Sequence, residues 1–106
     1  MPSIEQIESM LKDSPNDTFL LYALAMELDN CKQHDRSLEI FGTLMQHQPP
    51  YVPAFFMSAQ QLARLDRVNE ARANLRVGIE NARQQNDLHA ASEMSEFLTS
   101  LGELGE

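Results

Sequence analysis

Two proline stops, 34 residues apart, constrain this chain more than any other feature of its sequence. Pro15 is followed by Asn16-Asp17, and Pro49 is followed by a second proline. Proline has no amide proton and disfavours helical geometry in the residue before it, so a helix cannot continue through either position. Asn16-Asp17 supplies side-chain acceptors that cap a new helix, and Pro53 suits the first turn of another. The spacing therefore predicts a helical unit that occurs twice.

The composition favours helix over sheet. Apolar residues make up 42% of the 106 residues, and Ala, Leu, Glu, Gln and Met are abundant. These are good helix formers, and few β-branched residues stand side by side. A chain of this length forms one domain that hides about two-thirds of the surface of its extended form. We therefore expect an all-α fold in which residues 1–106 are a single domain.

Apolar residues at helical spacing predict about six helices joined by short turns. Ser3 and Asp35 are expected to cap the first and the third of them. Residues 18–47 form one antiparallel hairpin and residues 52–85 form a second, because a short polar turn divides each of these segments. The predicted helices cover residues 3–13, 18–31, 36–47, 52–65, 68–85 and 88–101.

The apolar stripes identify the face of each helix that is buried. Gly78 lies in mid-helix, where glycine costs about 1 kcal/mol relative to alanine, so we expect another helix to approach it closely. The last helix has one apolar and one polar face, as expected of a helix that closes the fold. The inward residues of the last two helices are predicted to be Ala71, Leu75, Gly78, Ile79 and Ala82, and then Ala90, Met94, Phe97, Leu98 and Leu101.

An offset of 34 residues aligns the two hairpins so that large residues match large ones and small residues match small ones. The matched pairs are Leu21 with Phe55, Ala25 with Ala59, Leu28 with Leu62, Ser37 with Ala71, Phe41 with Leu75, and Leu44 with Gly78. This pattern, closed by Pro49 in the first copy, resembles the tetratricopeptide repeat (TPR) family. Arg83 stands where the second copy should have its closing proline.

The resemblance implies a short right-handed TPR-like solenoid of stacked antiparallel helix hairpins. Repeat 1 would cover residues 18–51 and repeat 2 residues 52–85. The flanking helix at 3–13 and the capping helix at 87–101 would cover the two ends, because two repeats alone are too few to bury a continuous core.

The resemblance also implies a concave groove that holds a peptide or a helix of a partner protein. Large amphipathic side chains in such a groove give contact area at low entropic cost. A second interpretation stays open, in which the flanking helices bury the same stripe as core. The matching groove residues are Phe19, Tyr22, Met26, Asp29, Pro53, Phe56, Gln60 and Ala63.

The function implied is therefore a non-catalytic protein–protein interaction module, an adaptor or scaffold whose ligand is a protein or peptide of unknown identity. The alternative is a self-associating structural unit that stacks through its open repeat ends, for example as a homodimer. Sedimentation over a range of concentrations discriminates between the two, because only the second requires association of copies.

The charge balance argues against two other classes of partner. Eight basic residues stand against 16 acidic ones, a formal net charge of −8. Such a chain repels phosphate backbones and anionic headgroups, so we expect neither nucleic acid nor membrane as a partner. The N-terminus carries acids where a signal peptide needs bases and an apolar run, so the expected location is cytoplasmic.

Catalytic and metal-binding patterns find little support. Cys31, His34 and Asp35 are close in sequence, but a zinc site needs four ligands and no second cluster supplies the rest. Glu93 and Glu96 lie on the polar face of the last predicted helix and are expected to be solvated. No glycine-rich phosphate loop or nucleophile elbow occurs. We expect no enzyme activity, no metal and no cofactor.

Overall fold

Six helices account for most of residues 2–102, the part of the chain that is described by the structure, a computed structural model. No strand occurs within these residues, so the all-α prediction is confirmed. The chain divides into two compact units, one up to Tyr51 and one from Val52 onwards. That residues 1–106 form one domain stays a prediction. The helices are α1 (Ile4–Asp13), α2 (Thr18–Asn30), α3 (His34–Met45), α4 (Val52–Arg64), α5 (Val68–Gln84) and α6 (Leu88–Gly102).

Side-chain caps begin three of these helices. The Ser3 hydroxyl accepts from the Gln6 amide (3.1 Å), and the Gln6 side chain accepts from the Ser3 amide (2.8 Å), which together form a capping box at α1. Asp17 Oδ1 accepts from the Leu20 amide (3.0 Å) at α2. Asp87 Oδ1 accepts from the Ala90 amide (3.2 Å) at α6. The cap predicted at Asp35 is wrong, because α3 begins at His34 and Asp35 lies inside its first turn.

The turns that follow α2, α4 and α5 share one backbone geometry. A residue with positive φ lies two positions after the last residue of each helix: Lys32 (63°), Asp66 (63°) and Asn86 (61°). The next amide then bonds to a carbonyl five residues back, as in Gln33 to Leu28 (2.8 Å). These are Schellman motifs, which satisfy the last helical carbonyls and reverse the chain tightly. Each turn therefore sets two consecutive helices side by side.

The first unit has its core where α1, α2 and α3 meet. Ile7, Leu24 and Leu28 are buried, with side chains of all three helices packed around them. In the same unit, the Ser37 hydroxyl of α3 donates to the Ala25 carbonyl oxygen at 2.6 Å. Both Ser37 and Ala25 are fully buried. Small residues at this crossing allow α2 and α3 to approach closely.

The second unit is built on α5, which packs against both α4 and α6. Its five predicted inward residues are all buried. A Cβ atom on Gly78 would lie 2.5 Å from Phe55 Cβ of α4 and 2.7 Å from Met94 Sδ of α6. The predicted close approach at Gly78 is thus confirmed, and it involves two helices. In α6 the prediction is partly wrong, because Ala91 is buried instead of Ala90, whereas Phe97 and Leu98 are half-buried.

Five of the six matched pairs are buried in both hairpins. In the sixth pair, Leu21 keeps some exposure while its match Phe55 is buried. The hairpins differ at their ends. Helix α5 continues past Ile79, the position that matches the last residue of α3, as far as Gln84, because Arg83 replaces the closing proline. The matched buried pairs are Ala25 and Ala59, Leu28 and Leu62, Ser37 and Ala71, Phe41 and Leu75, and Leu44 and Gly78.

Candidate functional site

The first half of the predicted site is a strip along α2 in the first unit. Phe19 lies in its first turn and is 73% exposed. Tyr22 and Met26 follow at helical spacing, and both are half-buried. Between positions 19 and 26 only Leu24 and Ala25 are fully buried, although every residue of this segment is apolar or aromatic. Helix α2 therefore presents more apolar surface than its own unit covers.

Tyr22 is both a packing residue and a surface residue. Its ring lies edge-on to Phe41, with centroids 6.1 Å apart, and to Tyr51, with centroids 5.4 Å apart. Burial raises the pKa of the Tyr22 phenol above its ordinary value, and the nearby Tyr51 raises it further. The phenol is therefore neutral at physiological pH and able to donate a hydrogen bond.

Asp29, at the far end of this strip, is engaged within the first unit. Its Oδ1 lies 3.0 Å from His34 Nδ1, and the two side chains are 12% and 28% exposed. This contact joins the end of α2 to the start of α3 across their turn. Asp29 therefore helps to position the hairpin, in addition to the binding role predicted for it.

The second half of the predicted site lies on α4 in the second unit. Pro53 is exposed in the first turn, whereas Phe56, Gln60 and Ala63 are half-buried. Gln60 Nε2 lies 3.8 Å from Met57 Sδ, a weak contact that leaves most of the hydrogen-bonding capacity of the amide unused. The assignment of these four residues and of the α2 strip to a binding groove stays a prediction.

Phe56 contacts the terminal helix of its own unit. Its ring centroid lies 5.7 Å from that of Phe97 in α6, with the ring planes inclined at 59°. A surface depression of about 340 Å³ opens beside this pair. We call it the aromatic–acidic pocket, and its lining consists of Phe56, Glu93, Glu96, Phe97 and Ser100.

The members of this pocket are not predicted from the sequence to lie together, because Phe97 is expected on the apolar face of the last helix and Glu93, Glu96 and Ser100 on its polar face. These four residues nevertheless follow the spacing i, i+3, i+4, i+7, which puts them on one side of a helix. That spacing was the available signal, and it could have shown that Phe97 borders the acidic residues.

The comparisons decide the family. The chain is similar to the solution NMR structure of a tetratricopeptide repeat domain protein from Salinibacter ruber, with a TM-score of 0.80 and 30% sequence identity. The match covers 87% of this chain and 93% of that one. The chain belongs to the tetratricopeptide repeat family. No protein-family model and no curated protein matches it.

Membership of the tetratricopeptide repeat family indicates the fold of the chain and the general class of its partners. The helical-repeat fold predicted from the 34-residue period is confirmed. Tetratricopeptide repeats are a fold class of protein-interaction modules and not of enzymes, which agrees with the kind of partner expected, another protein. Between Pro2 and Gly102, none of the helices combines the length and apolar character needed to cross a membrane.

Proposed function

We propose that this TPR protein is a non-catalytic adaptor that binds a peptide or helix of a partner protein through the predicted groove residues. The observation that carries the proposal is the excess apolar surface of α2, above all the 73% exposure of Phe19 beside half-buried Tyr22 and Met26. An exposed aromatic ring on a rigid helix loses little entropy on binding and gains a large contact area.

Each unit also offers polar groups that would help to orient a bound segment. The Tyr22 phenol is a donor at physiological pH, and the Gln60 amide offers both a donor and an acceptor. A bound peptide needs such partners because its own backbone amides and carbonyls lose water on binding. The combination of apolar area with a few polar groups is typical of grooves that bind helices and extended segments.

A comparison of two single variants tests the role of the α2 strip. Peptides are first selected against the wild-type protein from a random displayed library, and their affinities are measured by calorimetry. Phe19→Ser should weaken binding by about tenfold, because an aromatic anchor contributes at least this much. Leu88→Ser is the matched control, since Leu88 is also apolar, 63% exposed and in the first turn of a helix.

Both residues are exposed, so both variants should remain folded with unfolding free energies within about 0.5 kcal/mol of the wild type. Circular dichroism and urea unfolding check this point. Equal affinities for wild type and Phe19→Ser would show that the α2 strip is not the binding surface. A loss in Leu88→Ser alone would place the surface at the start of α6.

A further inference from the structure

The aromatic–acidic pocket has a chemistry that differs from that of the predicted groove residues, of which it shares only Phe56. Two phenyl rings, Phe56 and Phe97, belong to its lining with centroids 5.7 Å apart, and two carboxylates share that lining. Glu93 is 49% exposed and Glu96 is exposed, so both are reachable by a ligand. None of the five lining residues is basic. The pocket therefore offers π surface together with negative charge.

The remaining contacts leave the carboxylates open to a cation. Glu93 Oε1 lies 3.5 Å from Nε2 of His89, which is 86% exposed and therefore screened by water. The Ser100 hydroxyl donates to the Phe97 carbonyl oxygen at 2.7 Å, so its oxygen is still able to accept a hydrogen bond. Among the described residues that line it, the pocket thus provides acceptors and an attractive ring surface but no cation.

We propose that the aromatic–acidic pocket binds the guanidinium group of an arginine side chain on the partner peptide. A guanidinium is planar, stacks on aromatic faces and donates through five N–H groups, so it uses the rings and the carboxylates at the same time. The depression of about 340 Å³ lies at the lower end of the range for small-ligand sites.

Charge complementarity selects this occupant over the alternatives. The chain as a whole carries a formal −8, so a basic peptide is attracted to it and an acidic one is repelled. An apolar side chain would leave both carboxylates without a partner at the edge of the contact, at a cost in desolvation. Lysine carries the charge but lacks the flat surface that stacks on Phe56 and Phe97.

The inference deepens the proposed function, because Phe56 also belongs to the predicted groove. It has a direct test that needs no partner peptide. The full chain, labelled with ¹⁵N, is titrated with N-acetyl-arginine amide, and amide shifts are followed by NMR. Saturable shifts should appear at Phe56 and along residues 93–100, with a dissociation constant of about 1–10 mM, as expected for one exposed cationic contact. N-acetyl-citrulline amide, neutral and nearly isosteric, should cause none.

Two double variants that remove the same charge distinguish an effect of the pocket from an effect of the overall electrostatic field of the protein. Glu93→Gln with Glu96→Gln should weaken binding of the arginine probe by about tenfold, since it removes both charged acceptors. Glu5→Gln with Glu39→Gln removes the same charge from exposed positions on α1 and α3 and should leave the affinity unchanged. Phe97→Leu, which keeps apolar volume but removes a ring, should weaken the arginine probe more than a lysine probe.

The outcomes distinguish failure of the arginine assignment from failure of the adaptor proposal. Absence of saturable shifts, or equal effects of the two double variants, would overturn the arginine assignment. Selected peptides that still bind and still depend on Phe19 would then leave the adaptor function standing. Conversely, arginine binding at the pocket with no effect of Phe19→Ser on peptides would retain the pocket and reject the α2 strip.

Discussion

Gly42 and Gly78 both lie inside helices, but their surroundings are opposite. Apart from its chain neighbours and the adjacent backbone of its own helix, no atom of the described residues lies within 4 Å of a Cβ built on Gly42, whereas one built on Gly78 would lie 2.5 Å from Phe55 Cβ. Gly42→Ala should stabilise the protein by about 0.5–1 kcal/mol, the usual gain from removing a helical glycine. Gly78→Ala should destabilise it by about 1–3 kcal/mol, because Phe55 Cβ moves only with its backbone. Urea unfolding of both variants measures the difference.

Each glycine variant is the control for the other, because the chemical change is identical. Stabilisation of the same size at both positions would show that α4 and α6 yield to an added methyl group at Gly78. The close approach at this residue would then not be a constraint on the fold.

Tyr22 should make stability depend on pH in the alkaline range. Its folded-state pKa is raised above the ordinary value of 10.0, so the folded protein holds this proton more tightly than the unfolded chain does. The contribution is constant below about pH 10 and is lost as the pH rises through the folded-state pKa. The unfolding free energy of the wild type should therefore fall faster above pH 10 than that of Tyr22→Phe.

The Tyr22→Phe variant keeps the ring contacts with Phe41 and Tyr51, so the two proteins should have similar stability at neutral pH. Other groups titrate in the same range, and the comparison removes their common effect. Plots of unfolding free energy against pH that run parallel for the two proteins above pH 10 would contradict a raised pKa at Tyr22.

Among the helices, α5 is longer than α3 because Arg83 stands where the first hairpin has its closing proline. Pro49 follows the shorter helix α3, and Arg83 holds the equivalent place within α5. Arg83→Pro should remove the backbone hydrogen bond to Ile79 and clash with its carbonyl, with a loss of about 3 kcal/mol. Thermal unfolding followed by circular dichroism at 222 nm, a wavelength that reports helix formation, measures both the loss of stability and the shortening of α5.

Arg83→Ala is the control, since Arg83 is exposed and its removal should change stability by no more than about 0.5 kcal/mol. A proline variant as stable as the alanine variant would mean that the last turn of α5 contributes nothing to the second unit. The start of α6 depends on this turn, because the Asp87 amide bonds to the Ala82 carbonyl at 2.7 Å.

The helices could be predicted from the sequence because their signals are local. Ser3 and Asp17 mark helix starts with side chains that bond to amides three residues away. The inward face of α5 follows from apolar spacing alone. The predicted start of α3, at position 36, lies two residues after the observed start at His34. Gln33 makes no side-chain cap there, and a Schellman turn with Lys32 at positive φ sets the helix start instead. Lysine gives no sequence signal for that conformation.

The site was less predictable because it depends on contacts distant in sequence. Phe56 was expected on a groove surface, and its spacing on α4 agrees with a partly exposed position. Its contact with Phe97, and the carboxylates beside that contact, require α6 to pack next to α4. Periodicity gives the face of each helix but not the residue of another helix that meets it. The α6 side of the aromatic–acidic pocket could therefore be found from the sequence, but the part that Phe56 contributes could not.

For the chain taken as one charged body, we expect net charge to control whether copies associate. A formal −8 at pH 7 repels a second copy, although Phe19 and Leu88 are apolar and exposed. Near pH 4.7, the isoelectric point, this repulsion vanishes. Sedimentation velocity over a range of concentrations should therefore show monomers at pH 7 and association near pH 4.7.

The same experiment tests the alternative of a self-associating structural unit. A specific dimer stabilised by apolar contacts would persist at pH 7, would be strengthened by salt that screens the repulsion, and would dissociate in one of the two variants, Phe19→Ser or Leu88→Ser. Charge-controlled association would instead respond to pH in both variants alike. A concentration-dependent dimer at pH 7 that only Phe19→Ser abolishes would mean that the α2 strip is covered by a second copy and is not free for a peptide.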